Sequence, residues 1–342
     1  MNMQTFDHSN DLRDVRSSPG QPVLEVSNLS VEFPTRRGVL TAIDGVSMRI
    51  EPGEILGVVG ESGAGKSITG LAVLGLLEAP GRIAAGEIHL SGRRIDRLSE
   101  KELTRIRGCE MGAIFQDPLT ALNPLFTVGA QLEETIRLHS DLSREAARER
   151  ALHLLKEVGI PAPRERLSQY PHQFSGGMRQ RVVIALALAA EPALIIADEP
   201  TTALDVSIQA QITTLLRRLC KDHRTGIMLV THDMGVIAET ADRVAVMYSG
   251  RIVETGRVED VIHNAQHPYT KGLMAAIPSL HERVDNLSQI DGSMPRLNAR
   301  PSGCAFNPRC PMAGPRCRSE APRLVPAGPN EAACFLHDGG VA

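Results

Sequence analysis

The sequence predicts an α/β protein built on a parallel sheet around a phosphate-binding loop. Three observations predict it. Residues 60–67 read Gly-Glu-Ser-Gly-Ala-Gly-Lys-Ser, which fits the pattern G-x-x-x-x-G-K-[ST] without deviation. The apolar run Ile55–Val59 precedes this loop and the apolar-faced stretch Ser67–Leu77 follows it, as a buried strand and its following helix would. Further along, short apolar runs alternate with helical patterns, an arrangement that implies parallel strands.

The elements follow in order. Residues 1–20 are polar and irregular, a disordered tail. Val23–Phe33 and Leu40–Ile50 alternate apolar and polar residues, as half-buried antiparallel strands do, and Gly86–Leu90 adds a short third strand. Together they make an antiparallel β-subdomain. Met111–Phe115 is a short apolar strand. Residues 128–139 and 143–158 have helical periodicity, and Ser143 opens the second without a full capping box. Ser175-Gly-Gly177 opens an apolar helix, Met178–Ala190, so that about 117–190 form a helical subdomain. Ala193–Ala197 is a buried strand ending in Asp198-Glu199, and a helix follows from Val206 to about Lys221. The strand Gly226–Thr231 ends at His232, and a Ser-Gly turn joins Arg243–Tyr248 to Arg251–Thr255. Past His267 the composition shifts to Pro, Arg and Cys. The expected division is a core over 21–265 and a small, separate Cys-rich extension over 266–342, a unit apart from the phosphate-binding loop.

Composition narrows the function. Of 342 residues, 42% are hydrophobic and 23% charged, as in ordinary soluble domains. A net charge of −3 argues against nucleic acid as a partner. Aromatics are only 3% and Trp is absent, which disfavours a stacking platform for bases. No apolar run is long enough to span a bilayer, and the polar N-terminus lacks the apolar stretch of a secretory signal. A cytosolic chain is expected. Its six cysteines should then be reduced or metal-bound rather than paired. Cys109 and Cys220 read as small hydrophobic residues, whereas Cys304, Cys310, Cys317 and Cys334 crowd the C-terminal region.

Each motif residue has a chemical reason. Gly60, Glu61, Ser62, Gly63, Ala64 and Gly65 turn backbone N–H groups inward, and with the helix N-terminus they cradle a polyphosphate. Lys66 reaches the β- and γ-phosphates and the Ser67 hydroxyl ligates Mg²⁺. A carboxylate at the end of a buried strand, Asp198, is placed on the metal side, and Glu199 is placed to take a proton from the attacking water. A lone Asp-Glu pair is ordinarily a solvated loop. The apolar strand before this one and the phosphate loop upstream reverse that reading.

Taken together, these motifs and their order resemble an ABC-transporter ATPase subunit. The resemblance covers about 22–265. Phe174-Ser-Gly-Gly-Met178 resembles the family's signature motif, departing at its first and last positions, and implies that Ser175, Gly176 and Gly177 contact the γ-phosphate held by another subunit. Gln116 resembles the glutamine that contacts Mg²⁺ or water, Asp205 in Ala-Leu-Asp the D-loop, and His232 the switch histidine that contacts the γ-phosphate. Phe33 resembles the aromatic that stacks on adenine, although it fits a strand core equally well. The resemblance implies ATP and Mg²⁺, head-to-tail pairing with a second homologous ATPase subunit, and attachment to two transmembrane permease subunits.

The C-terminal region is similar to that of the oligopeptide/dipeptide permease ATPases, through His267-Pro-Tyr-Thr-Lys-Gly-Leu-Met274 and Gly303-Cys-Ala-Phe-Asn-Pro-Arg-Cys-Pro311. This implies a bacterial peptide importer with an extracytoplasmic substrate-binding protein, and a peripheral position on the cytoplasmic face of the inner membrane. Relatives of this architecture serving nickel, glutathione or opines are the alternative cargo classes. Near-balanced Lys+Arg (37) and Asp+Glu (40) favour attachment through protein contacts rather than lipid charge. The four-cysteine spacing holds no C-x₂₋₄-C pair, and the resemblance implies a [4Fe–4S] cluster, with Zn²⁺ as the alternative. A soluble ABC-type ATPase of DNA repair or translation is the rival class. It would carry an inserted coiled coil or a second phosphate loop, and the sequence shows neither.

Overall fold

The computed structural model describes residues 20–202, 204–276 and 289–338. The expected disordered tail therefore lies, but for Gly20, outside the described residues. The strands are β1 (Leu24–Thr35), β2 (Gly38–Ile50), β3 (Ile55–Val59), β4 (Arg82–Leu90), β5 (Arg93–Arg94), β6 (Met111–Ile114), β7 (Leu194–Asp198), β8 (Gly226–Thr231), β9 (Arg243–Tyr248), β10 (Arg251–Arg257), β11 (Val325–Ala327) and β12 (Asn330–Ala332).

They form two sheets. One is four-stranded and antiparallel, in the order β2-β1-β4-β5. The other has the order β11-β12-β10-β9-β3-β8-β7-β6, parallel from β9 to β6 and antiparallel beyond β9. The parallel strands read as unbroken apolar runs because both of their faces are buried. On β3, Ile55 and Val59 enter the core beneath the helices, while Leu56 and Val58 enter the core shared with the antiparallel sheet. β7 and β8 divide their residues between the same two cores.

Between β6 and β7 the chain is helical. Val128–His139 buries Val128, Leu132 and Ile136 at helical spacing, and Arg144–Glu157 answers with Ala147, Ala151, Leu154 and Leu155. Two helix ends differ from expectation for local reasons. The helix expected over Ser67–Leu77 runs Lys66–Leu74 and stops where Gly75 takes a left-handed φ of 65°. The helix expected from Met178 to Ala190 runs Gly176–Ala187, because Ser175 is its N-cap and accepts from the Met178 N–H.

The C-terminal region is not the separate unit expected from its composition. β12 pairs with β10, Glu254 opposite Ala332, so the region adds two strands to the main sheet. Phe306 is buried with its ring edge-on to Tyr248 at 5.2 Å and tilted on Tyr269 at 5.4 Å. The fully buried Glu254 carboxylate accepts from the backbone N–H groups of Gln266 and His267 (2.8 Å each) and from Asn330 Nδ2 (2.9 Å).

His267 makes this junction sensitive to acid. It is 1% exposed, and its Nδ1 accepts from the Tyr269 N–H at 3.0 Å. Burial, with a smaller contribution from His337, pushes its pKa down to about 3. An unfolded chain protonates histidine near pH ~6.5, so between the two values the unfolded state binds more protons and stability falls as pH falls. The expected loss from pH ~6.5 to pH ~5 is on the order of 1–2 kcal/mol. His267→Asn keeps an acceptor for the Tyr269 N–H and removes the titrating ring. Thermal unfolding at about pH 7 and about pH 5 should show the parent losing more stability than the variant, and equal losses would exclude His267 as the acid-labile group.

Candidate nucleotide-binding site

Parallel registry brings the chemistry to one edge. Val59 pairs with Thr231, Asp198 with Val230, and Ile114 with Ala197, so β3, β8, β7 and β6 end nearly level. The residues that follow these ends are the phosphate loop, His232, Glu199 and Gln116. Ligands of open α/β sheets bind at such carboxyl ends.

The loop itself turns on glycine. Gly60 (φ 154°), Gly63 (84°) and Gly65 (104°) hold backbone angles that side chains disfavour. At Gly60 a Cβ would come within 2.2 Å of the Met247 carbonyl oxygen, so the loop packs directly on β9. Lys66 is buried and donates to the carbonyls of Gly60 (2.8 Å) and Glu61 (3.2 Å). Burial lowers its pKa, and the charges of Glu199 and Asp198 oppose that shift.

Ser67 Oγ lies 3.0 Å from Asp198 Oδ1, the pairing that a shared Mg²⁺ would join. Burial raises the Asp198 pKa against the Ser67 hydrogen bond. Glu199 sits at φ 46°, left-handed backbone for a side-chain-bearing residue, and its N–H donates to the Val230 carbonyl at 2.8 Å. Its carboxylate accepts from Thr202 Oγ1 (2.9 Å) and Gln116 Nε2 (3.2 Å), and His232 Nδ1 is 3.1 Å away. Burial alone would raise the Glu199 pKa, but His232 and Thr202 hold it below the usual carboxylate range. The result is an ionised, oriented carboxylate beside the glycine-rich loop.

The cavity in front of the loop is about 1250 Å³ and is lined by Gly60 to Gly63, Gly65 to Ser67, Gln116, Glu199 and His232, and also by Leu40, Ala42, Leu273 and residues 294–298. Two expected groups lie elsewhere. Phe33 lies on β1, its ring against Gly81; it packs, partly buried, on the core shared by the two sheets and is not among the residues that line the cavity. Ser175 and Gly176 are exposed at the start of the helix Gly176–Ala187 and do not line this chain's own cavity, with Gly177 packed near Ile208. Asp205 caps the helix Val206–His223 by accepting from the Ile208 N–H at 2.9 Å, while Ala203 lies outside the described residues.

Sequence reasoning missed Thr202, Tyr269 and Arg309. The Tyr269 hydroxyl accepts from the Glu61 N–H at 2.9 Å, and Arg309 Nη1 lies 3.0 Å from both Glu61 carboxylate oxygens. Thr202 could have been found three residues after Glu199. Nothing local marks Arg309.

The backbone N–H groups of Phe306, Met312 and Leu336 favour the thiolate at Cys304, Cys310 and Cys334 respectively, but burial outweighs them. Burial raises all three thiol pKa values, Cys304 to about 11, and neighbouring cysteines, Cys317 among them, add to the rise. Among the described residues, no three His, Cys, Asp or Glu side chains are arranged to hold a single metal ion. Among those residues, no helix is long and apolar enough to cross a membrane.

The comparisons agree with this geometry. The ABC transporter family matches residues 43–202, and the family described as oligopeptide/dipeptide transporter, C-terminal region, matches 253–317. The dipeptide transport ATP-binding protein DppD of Escherichia coli K12 is 47% identical over 302 residues, 88% of this chain and 92% of that protein. The oligopeptide transport ATP-binding protein OppD of Bacillus subtilis 168 is 52% identical over 286 residues, covering 83% and 80%. Among solved structures, the dimeric post-hydrolysis ATP-binding cassette MJ0796 with ADP and Pi superposes with a TM-score of 0.61 at 30% identity, over 69% of this chain and 98% of that one. CbiO1 of Clostridium perfringens, part of the ABC transporter complex CbiONQ, gives 0.62 at 29% identity, over 71% and 92%.

The bidentate Arg309–Glu61 pair joins the C-terminal region to the phosphate loop, with Arg309 only 7% exposed and Glu61 29%. Arg309→Gln should destabilise the chain by about 1–3 kcal/mol, the range for hydrogen bonds to charged groups. Adding Glu61→Gln should recover part of the loss, because the stranded carboxylate is then neutral. Chemical denaturation of the three variants measures this, and strictly additive effects would show that the pair is not coupled.

Proposed function

This chain belongs to the ATP-binding subunits of ABC transporters, and on that premise we propose that it hydrolyses ATP to drive the import of di- and oligopeptides. The observation that carries the hydrolytic reading is the Glu199 carboxylate, held by Gln116, Thr202 and His232 beside the phosphate loop. The peptide cargo rests on similarity to dipeptide and oligopeptide transport proteins over most of the chain, and to the oligopeptide/dipeptide transporter C-terminal region over 253–317.

The roles follow from placement. The N–H groups of 60–65 and the helix N-terminus beginning at Lys66 bind the phosphates. Lys66 exchanges its carbonyl partners for phosphate oxygens, a stronger pairing for a buried ammonium. Ser67 and Asp198, with Gln116, would hold Mg²⁺. Glu199 takes the proton of the attacking water, and His232 orients the carboxylate and meets the γ-phosphate. Ser175, Gly176 and Gly177 serve a second homologous subunit, for which the exposure of Ser175 and Gly176 leaves the helix start available. Asp205 sits near that junction. Permease subunits in the inner membrane and an extracytoplasmic substrate-binding protein complete the transporter, with this chain on the cytoplasmic face.

The four thiols suit a [4Fe–4S] cluster. Cysteines whose negative charges raise one another's pKa would be relieved by a cationic centre, and backbone N–H groups favour the thiolate at three of them. Bound there, the group would cross-link a Pro-rich loop, and its binding would release the thiol protons.

Glu199→Gln keeps the shape and removes the base. Turnover by the assembled transporter should fall about 10²–10⁴-fold while ATP affinity stays near the parental value, and near-parental turnover would remove Glu199 from the mechanism. Ser175→Arg should leave ATP binding by this chain intact and suppress activity only where a partner's phosphates must meet this helix. Protein purified without oxygen should be brown with about four irons per chain. Stoichiometric zinc in colourless protein would replace iron with the alternative, and metal-free protein would exclude both.

A further inference from the structure

The cavity that holds the phosphate loop has a wall that the ATPase core does not supply. Met294, Pro295, Arg296, Leu297 and Asn298 line it, and all belong to the C-terminal region. A short 3₁₀ turn, Leu297–Ala299, seats this strap against β2, two of whose residues, Leu40 and Ala42, line the same cavity.

Arginines fasten the strap at both ends. Arg300 donates to the Thr41 carbonyl and to Asp44 Oδ2, each at 3.1 Å, and to Ser249 Oγ at 3.3 Å. Arg309 donates to the carbonyls of Asp291 (2.8 Å) and Ile290 (3.2 Å) while its third nitrogen holds Glu61. Their side chains are only 16% and 7% exposed. The segment 290–300 is thus tied to β2 at one end and to the phosphate loop at the other, so its position over the cavity is set before any ligand arrives.

Chemistry then assigns the wall. A triphosphate on residues 60–67 places its γ end at Glu199 and His232, and the uncharged purine must lie toward the other end. Outside the loop the apolar lining is Leu40, Ala42, Met234, Leu273, Met294, Pro295 and Leu297, and the strap shares one side with Leu40 and Ala42 through its contact with β2. Phe33, the aromatic expected to stack on adenine, packs instead beside Gly81. We propose that residues 294–298 form the base-side wall of this nucleotide site in the same chain, with Leu297 and Met294 against the purine and Arg296 and Asn298 at the ribose rim. The proposal rests on the ATP-site reading.

The test compares two probes, ATP and inorganic tripolyphosphate, on the full chain by equilibrium binding. Leu297 is half-buried and Arg296 exposed, so Leu297→Ser and Arg296→Ala are not core deletions. Leu297→Ser should weaken ATP roughly tenfold, and Arg296→Ala roughly threefold, while tripolyphosphate stays within about twofold of the parent, since only the base loses contact. ATP binding that is unchanged in both variants, or that falls in step with tripolyphosphate, would overturn the proposal. Lys66→Ala provides the separate check. It should weaken both probes, and its failure to weaken either would remove the ATP-site reading itself.

Discussion

A buried lysine laid on the carbonyls of its own loop organises this structure. Lys66 can reach Gly60 and Glu61 only because the intervening glycines turn left-handed, and Gly60 can turn only because it has no Cβ to strike β9. The loop's shape therefore depends on the β3–β9 pairing, and that pairing depends on two apolar cores filled from opposite faces. Deep packing and phosphate recognition are one constraint seen from two ends. A cavity in either core would shift the strand ends on which Asp198, Glu199 and His232 stand.

The electrostatics show a site arranged around an incoming polyanion. Burial penalises the charge on Lys66 and on Asp198 alike, and each sits where a phosphate or a divalent cation supplies the opposite charge. Glu199 differs. Hydrogen bonds hold it ionised, and its left-handed backbone aims it rather than letting it relax. Two adjacent carboxylates in one strand exit are thereby given different environments, one buried beside Ser67 and one held ionised by its hydrogen bonds.

Much of this was legible in the sequence because the responsible physics is local. A phosphate loop requires glycine at fixed offsets, and a strand buried on both faces must be apolar throughout, so residues 55–67 and 194–199 declared themselves. What was not legible is long-range. Arg309 meets Glu61 across 248 positions, and no periodicity encodes such a contact. β11 and β12 span three residues each, too short to alternate visibly, which made a sheet extension read as a separate tail. Phe33 has the right spacing before the loop for an adenine-stacking aromatic, and only tertiary packing against Gly81 shows where its ring lies.

The tail's attachment changes how its cysteines bear on the ATPase core. One peptide bond separates Arg309 from Cys310, and Ala305 and Phe306, which follow Cys304, lie in the same core as Tyr269. The Cys304 N–H donates to the Cys317 carbonyl at 2.8 Å, so the cysteine segments also brace one another. Order among the thiols and order at Glu61 are therefore linked through the buried Arg309 guanidinium and the contacts of Phe306 with Tyr248 and Tyr269. A tail hung on a flexible linker would leave the phosphate loop indifferent to it. Here the main sheet, the Glu254 clip and the Arg309 pair all carry load between them, and disorder in the cysteine loop cannot spread without loosening the carboxylate that Arg309 holds beside the phosphates.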